Sequence, residues 1–262
     1  MKRRRWRTAL PAVLMGAALL VLWEAWVRHF DVPTYIIPGP VAIAKALVTD
    51  WPVLASSLLA TLRLTLFALL FATVGGLAAA IAFSESRFIE RTLFPYAVIL
   101  QVTPSVAIAP LIIIWVNNTA VALILCATFV AFFPILSATV TGLKSADHHL
   151  TELFELYRAR RWQSLVYLRL PTALPYFLSG FRISGGLALV GAVVAEFVAG
   201  SGGHGSGLAY RILDAGYQLQ FPRLFAALVL ISVIGVGMHF LTSFLSYLCL
   251  RTWHESSLER ER

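Results

Sequence analysis

Residues 57–83 read SLLATLRLTLFALLFATVGGLAAAIAF, an apolar stretch with a single charged residue, Arg63. A helix of this length rises about 1.5 Å per residue and therefore crosses the roughly 30 Å hydrocarbon layer of a bilayer. The whole chain shares this character, since 59% of its 262 residues are hydrophobic and only 13% are charged. Soluble domains carry about 25% charged residues. The composition predicts an all-α polytopic membrane protein and excludes an ordinary soluble enzyme and a secreted disulfide scaffold.

Five further stretches have the length and composition of membrane helices. The six predicted spans lie at residues 9–27, 57–83, 93–115, 120–143, 176–199 and 223–250. The first span follows a basic start and could instead be a signal peptide, but no small-x-small cleavage pattern follows it. Between the spans, residues 41–54 predict a short helix, and the Gly-rich segment 200–222 predicts a flexible polar loop. We see no internal repeat, so we expect residues 1–262 to form a single transmembrane domain.

The positive charges predict the orientation of the chain, because cytoplasmic loops are enriched in Lys and Arg. With the N-terminus inside, fifteen of the 21 Lys and Arg residues fall in cytoplasmic segments. The outside segments hold four, Arg28, Lys45, Arg211 and Arg223. Both termini and the loop of residues 144–175 are therefore predicted to be cytoplasmic. This distribution also accounts for the net charge of +8 without a nucleic-acid partner.

Catalytic motifs are absent from the sequence. None of the three lysines, Lys2, Lys45 and Lys144, follows a glycine, so there is no Gly-Lys-Ser/Thr loop for ATP. The histidines form no His-Glu-x-x-His pattern, and no metal is predicted. We therefore predict no enzyme and no directly bound cofactor, which leaves transport or scaffolding.

The 144–175 loop is longer than a simple connection needs, and it carries a helical pattern. Asp147 can cap a helix N-terminus. An apolar stripe with helical spacing follows, at Leu150, Leu153, Phe154 and Tyr157. An apolar face outside the membrane must be covered by a partner, by the bilayer surface or by the ends of the chain's own helices. Beyond it, Pro171 and Pro175 predict that the chain turns before the fifth span.

The same loop resembles the EAA loop of ABC importer permeases, which reads Glu-Ala-Ala, three residues, Gly, nine residues, Ile-x-Leu-Pro. Glu152 stands at the motif Glu, Leu168 at the Ile, and Leu170-Pro171 at the Leu-Pro. Two positions depart from the motif, since Leu153-Phe154 replaces Ala-Ala and Arg158 replaces Gly. The resemblance implies that the loop contacts an ATPase through Glu152, Leu153, Phe154, Glu155, Tyr157, Arg158, Leu170 and Pro171.

Other motifs resemble the nitrate/sulfonate/taurine/bicarbonate subfamily of these permeases. They are PSVAIAPL at residues 104–111, Ile37-Pro38-Gly39-Pro40, residues 132–135 (FFPI), Gly180-Phe181-Arg182, Ala195-Glu196-Phe197 and Trp253. Tyr157 and residues 206–211 resemble its thiamine-precursor (hydroxymethylpyrimidine) branch, and riboflavin is a further candidate. The implied solute is thus a nitrate-, sulfonate- or taurine-like anion, a thiamine-precursor pyrimidine or a riboflavin-type vitamin.

The resemblance implies a type I ABC importer permease fold (MetI-like) in the bacterial inner membrane. The implied partners are a second copy of the permease, a cytoplasmic ABC ATPase dimer that holds ATP and Mg²⁺, and a periplasmic solute-binding protein. The alternative from the residues alone is a stand-alone secondary transporter, which would need inverted repeats and buried ion-coupling carboxylates.

Polar residues within the spans are candidates for the translocation path. Pro104 and Pro110 are predicted to break the third span, which makes Gln101, Thr103 and Ser105 candidate lining residues. Glu196 is a further candidate, with pairing to a residue such as Arg211 as the alternative. Arg63 could line the path or extend to lipid headgroups. Glu24, between Trp23 and Trp26, is interpreted as an interfacial residue.

Overall fold

The computed structural model describes residues 2–200 and 206–251, with side chains for all of these except residues 2–10, 12 and 87. Eleven α-helices and one π-helical turn, Leu165–Arg169, make up this part of the chain, and no strand occurs in it. The helices are α1 (Lys2–His29), α2 (Pro40–Thr49), α3 (Trp51–Glu85), α4 (Arg87–Val102), α5 (Ser105–Trp115), α6 (Thr119–Lys144), α7 (His148–Leu156), α8 (Arg161–Ser164), α9 (Leu170–Ala199), α10 (Leu208–Tyr217) and α11 (Phe221–Leu250). The predicted all-α class is confirmed.

Four helical segments in the described part are long and apolar enough to cross a membrane: Trp51–Glu85, Thr119–Lys144, Arg161–Ala199 and Phe221–Leu250. A fifth is the pair α4 and α5, which meet at 104°. The first predicted span, 9–27, falls within α1. The count of six spans stays a prediction.

The third predicted span, 93–115, is broken at one proline only. Thr103 between α4 and α5 is extended, with ψ of 127°, as expected for a residue whose helical conformation clashes with the ring of a following proline. Pro110 lies inside α5 and does not break it. The prediction of a break at Pro104 is confirmed, and that of a second break at Pro110 is wrong.

The predicted turn before the fifth span is also wrong. A continuous helical segment runs from Arg161 to Ala199, through both Pro171 and Pro175. At its π-helical turn the N–H of Leu170 donates to the carbonyl of Leu165, one residue further back than in an α-helix. This shift in hydrogen-bond register directly precedes Pro171, which has no N–H to donate to the preceding turn.

Two segments between the predicted spans differ from their predicted structure. The predicted helix 41–54 is divided at Asp50, where α2 ends and α3 begins. The segment predicted to be a flexible loop, 200–222, contains α10. Its Gly-rich residues 201–205 lie outside the described residues.

The described chain forms two compact units. The first holds residues 2–59 and 206–232, and the second holds residues 60–200 and 233–251. The single domain predicted for residues 1–262 stays a prediction.

The second unit is built on close contact between α6 and α9. A Cβ atom at Gly180 would lie 2.6 Å from the carbonyl oxygen of Pro134, and one at Gly142 would lie 2.8 Å from Cα of Ala173. The Ser184 hydroxyl donates to the carbonyl of Ala131 at 2.6 Å. Small residues let the two backbones approach, and this packing is typical of membrane helices.

In the first unit, charged side chains bind to the ends of helices. The Glu24 carboxylate of α1 accepts from the Val41 N–H at 3.1 Å and from Arg28 Nε at 2.7 Å. Glu24 therefore caps α2, and its location at the membrane interface stays a prediction. A Cβ atom at Gly39 would lie 2.5 Å from Glu24 Oε2, so this cap requires the glycine.

A second charged contact in this unit joins Asp50 to Arg223. Nε and Nη2 of Arg223 donate to the two carboxylate oxygens of Asp50 at 2.8 and 2.7 Å. These bonds hold the pKa of Asp50 below its ordinary value. The pair ties the start of α11 to the α2–α3 junction.

Candidate coupling loop and translocation path

Helix α7 begins where the sequence predicts. Asp147 is its N-cap, and its Oδ1 accepts from the His149 N–H at 2.8 Å. The Thr151 hydroxyl donates to the Asp147 carbonyl at 3.0 Å. The predicted cap is confirmed, and it fixes the start of the helix that carries the EAA-like residues.

The end of α7 explains what the motif glycine does. Arg158, which replaces that glycine, has a φ of 52°, in the left-handed region. Its N–H donates to Glu155 and the Ala159 N–H donates to Phe154, both at 2.9 Å, which is the bond pattern of a Schellman cap. Arginine adopts this conformation at a cost of roughly 1 kcal/mol that glycine avoids. The sharp bend of the motif is thus kept with a strained residue.

The residues of the apolar stripe of α7 differ in their exposure. Leu150, Leu153 and Tyr157 are exposed, whereas Phe154 is half-buried. The most exposed apolar residues of α7 and its C-cap are Tyr157, at 81%, and Leu156, at 80%, which lies off the predicted stripe. Leu156 is the residue that the helical spacing missed. Its signal was hydrophobicity next to charged residues rather than periodicity.

Charged residues surround a cavity beside Phe154. It has a volume of about 540 Å³, and its lining includes Glu85, Glu155, Arg161 and Arg169. Arg169 Nη1 lies 3.8 Å from Glu85 Oε1, which joins the 144–175 loop to the end of α3. Among the other predicted contact residues, Glu152 pairs with His148 at 3.1 Å, and both are exposed.

Leu170 and Pro171 serve a structural role in this conformation. Leu170 packs against a buried cluster that includes Phe83, Leu143 and Ala173. Pro171 lies in the first turn of α9. The Leu-Pro end of the motif thus anchors the loop to the bundle, while Leu153 and Tyr157 remain available to a partner.

The break between α4 and α5 brings three predicted path residues together. Gln101, Thr103 and Ser105 line one cavity of about 350 Å³. Phe129 and Phe133 of α6 line it too, with ring centroids 5.4 Å apart in an edge-to-face arrangement. The Thr103 hydroxyl donates to the Ile99 carbonyl at 2.8 Å.

The other two predicted path residues lie elsewhere. Glu196 is 4% exposed, and its two oxygens accept from the Thr61 hydroxyl at 2.8 and 3.1 Å. Arg63 is exposed, and neither residue lines the cavity at the helix break. Their place in the path stays a prediction.

Within the described residues, no group of three His, Cys, Asp or Glu side chains could hold a metal ion.

Known proteins of similar sequence are permeases. The chain is 32% identical over 234 residues to a probable ABC transporter permease protein of Haemophilus influenzae, covering 89% of this chain and 94% of that protein. It is 34% identical over 254 residues to the riboflavin transport system permease protein RibX of Chloroflexus aurantiacus, covering 94% and 90%. It is 30% identical over 229 residues to the formylaminopyrimidine transport permease protein ThiX of Halalkalibacterium halodurans, covering 87% and 90%. Permease proteins for aliphatic sulfonates and taurine match at 31% and 26% identity.

A solved structure has the same fold. A crystallised amino acid ABC transporter matches with a TM-score of 0.62 and 20% identity, over 79% of this chain and 97% of that one. This similarity confirms the predicted type I ABC importer permease fold.

A match over most of the chain identifies the family. Residues 71–249 match the model of the family described as binding-protein-dependent transport system inner membrane component. The alternative of a stand-alone secondary transporter finds no support among these relatives. With permeases as relatives over nearly its whole length, the chain belongs to this family and is the membrane-spanning permease subunit of an ABC importer, not an enzyme.

Proposed function

We propose that a separate cytoplasmic ATPase dimer drives this permease through the 144–175 loop, and that Leu153, Leu156 and Tyr157 bind the ATPase. The observation that carries this proposal is the exposure of these three apolar side chains on α7, outside every predicted span. Exposed apolar clusters of this kind mark contacts with proteins or membranes. ATP and Mg²⁺ are held by the ATPase, and this chain binds no cofactor itself.

The loop is suited to transmit movement because part of it is attached to the chain's own helices and it continues into a long helical segment. Phe154 and Leu170 face the chain's own residues, and Arg169 pairs with Glu85. From Arg161 the chain continues as one helical segment to Ala199. A displacement of α7 by the ATPase therefore acts on the base of one continuous helical segment, which is the kind of coupling a rocking transporter needs.

The assembly we propose contains two copies of this permease, the ATPase dimer and a periplasmic solute-binding protein, in the bacterial inner membrane. The family description supports the binding protein and the membrane. The excess of Lys and Arg in predicted cytoplasmic segments supports the orientation, with both termini inside. A homodimer is the simplest arrangement for a chain with one coupling loop.

The solute is a small molecule of the kinds that its relatives carry. Similarity to RibX and ThiX supports a riboflavin-like or formylaminopyrimidine-like heterocycle. The match to an aliphatic sulfonate permease supports a sulfonate or taurine-like anion as the second candidate.

Binding of the ATPase tests the proposed contact directly. Tyr157→Ala is expected to weaken co-purification of the ATPase about tenfold, because truncation of an aromatic side chain at an interface removes 1 kcal/mol or more. Tyr217→Ala is the matched control, since Tyr217 is also highly exposed, at 87%, but lies on α10.

Phe154→Ala is expected to lower transport-coupled ATPase activity while the chain still inserts in the membrane.

The outcome is read from the pair of tyrosine variants. Equal retention of the ATPase by Tyr157→Ala and Tyr217→Ala would contradict the contact on α7. Wild-type turnover by Phe154→Ala would contradict the part played by the half-buried residue.

A further inference from the structure

The cavity at the α4–α5 break is lined without a charged side chain. Its lining combines apolar residues, the Phe129 and Phe133 rings, and the polar groups of Gln101, Thr103 and Ser105. Its volume of about 350 Å³ lies at the lower end of the range for small-molecule sites. Two phenyl rings in such a cavity can contact the face or edge of a flat aromatic ligand.

Prolines leave two backbone carbonyls of this lining without their usual helical donors. In an α-helix the carbonyls of Leu100 and Val130 would accept from the N–H groups of residues 104 and 134. Both of these residues are prolines, which have no N–H. Leu100 and Val130 both line the cavity. Each of these carbonyls therefore lacks its usual helical donor and is a candidate acceptor for a ligand N–H.

The side chains add to this excess of acceptors. The Thr103 hydroxyl donates its proton to the Ile99 carbonyl, so toward a ligand it is an acceptor. Gln101 can donate and accept, and so can Ser105. A ligand with N–H groups and an aromatic ring satisfies this set.

An anion fits the same lining poorly. The N-terminus of α5 at Ser105 would favour a negative charge, since a helix N-terminus carries a partial positive charge. The Ala107 N–H donates to the Pro104 carbonyl at 3.0 Å, whereas the N–H groups of Ser105 and Val106 have no partner within the helix. However, no Lys, Arg or His lines the cavity to pair with an anion. Burial of an unpaired charge is strongly unfavourable.

We propose that this cavity is a solute subsite of the translocation path and that it selects an uncharged, N–H-bearing aromatic heterocycle over a sulfonate. The inference rests on the proposed importer function and narrows its solute class. It assigns contact with the solute to Phe129, Ser105 and the carbonyls of Leu100 and Val130.

The test uses the permease with its ATPase and binding protein in lipid vesicles, and measures ATP-dependent uptake of riboflavin, formylaminopyrimidine and taurine. Phe129→Leu removes a ring, and Pro134→Ala returns an N–H to the Val130 carbonyl without loss of a helix bond. Each is expected to raise the KM for the heterocycle about threefold to tenfold. Phe132→Leu is the matched control, because this half-buried neighbour lies on α6 but outside the cavity.

Two results would overturn the inference. One is uptake of taurine and of neither heterocycle, which would leave the importer function standing. The other is a heterocycle KM that Phe129→Leu and Pro134→Ala change no more than Phe132→Leu does. Co-purification of the ATPase is measured on the same samples. Loss of the ATPase would contradict the proposed function, whereas a change in solute selectivity with the ATPase still bound would concern this inference alone.

Discussion

At the scale of single residues, Arg158 shows how a departure from a motif is tolerated. The Schellman cap at the end of α7 needs a residue with positive φ, and Arg158 supplies it at 52°. The cap also places Ala159 over Phe154, whose carbonyl accepts the Ala159 N–H. The motif glycine is therefore explained by backbone conformation, and its replacement leaves the bend in place but strained.

Replacement of Arg158 by glycine is expected to stabilise the protein. Arg158→Gly should raise the free energy of unfolding by about 0.5–1 kcal/mol, because the left-handed conformation costs glycine nothing. Arg158→Ala keeps the strain and should give no gain. Thermal unfolding in detergent measures both variants. A gain shared equally by glycine and alanine would assign the effect to the lost charge and contradict the strain.

The Asp50–Arg223 pair makes a prediction about pH. Since the pKa of Asp50 is lowered in the folded state, the pair stabilises fully above the ordinary Asp pKa and is lost as pH falls through the lowered value. Asp50→Asn is expected to cost roughly 1 kcal/mol at pH 7. The difference from wild type should shrink at acid pH. Unfolding measured from pH 7 down to pH 3 gives this difference, and a penalty that grows on acidification would contradict the pair.

At the scale of helices, the α6–α9 contact depends on glycines at particular positions. Gly180 has no room for a Cβ atom, with Pro134 O at 2.6 Å and Ala138 Cβ at 2.8 Å. Gly186, on the same helix, has nothing within 4 Å. The two glycines look alike in sequence, but only the first is required by packing.

This difference predicts opposite effects for the same substitution. Gly180→Ala is expected to destabilise the protein by about 1–3 kcal/mol, because it forces α6 and α9 apart. Gly186→Ala should be neutral or stabilise by up to about 1 kcal/mol, since alanine favours helix. Thermal unfolding of the two variants side by side checks this, and a similar loss in both would contradict the close contact.

Sequence patterns predicted two features whose signals are local. The cap at Asp147 and the break at Pro104 were readable because each depends on neighbouring residues in the chain. The start of the fifth span was not, because the π-helical turn at Leu165–Arg169 that accommodates Pro171 has no local signature. The cavity residues Gln101, Thr103 and Ser105 followed from the break, whereas Phe129 and Phe133 come from another helix and needed the tertiary structure.

At the scale of the whole molecule, two ion pairs indicate that the bent pair α4 and α5 crosses the membrane. Lys144 pairs with Glu90, and Arg169 pairs with Glu85. The end of α3 and the end of α6 therefore lie on the same side. Since α6 crosses the membrane once, its start lies on the other side. We therefore expect the chain between Glu90 and the start of α6 to cross too, with α4 and α5 as one broken span.

Accessibility of single cysteines tests this topology together with the orientation. We expect Phe88→Cys and Leu156→Cys to react with an impermeant maleimide only after spheroplasts are lysed, because both lie at predicted cytoplasmic ends. Asn117→Cys and Tyr217→Cys should react in intact spheroplasts. All four positions are exposed. The background is Cys249→Ser, since Cys249 is exposed and Cys126 is buried.

Two alternative patterns of labelling have distinct meanings. If Phe88→Cys and Asn117→Cys react from the same side, then α4 and α5 form a re-entrant hairpin, and the ion-pair argument is wrong. If all four positions are reversed, the excess of Lys and Arg does not set the orientation. Tyr157 and Leu156 would then face away from the cytoplasm, and an ATPase could not reach them. The expected pattern places α7 on the ATP side and the α4–α5 cavity within the crossing, as coupled transport requires.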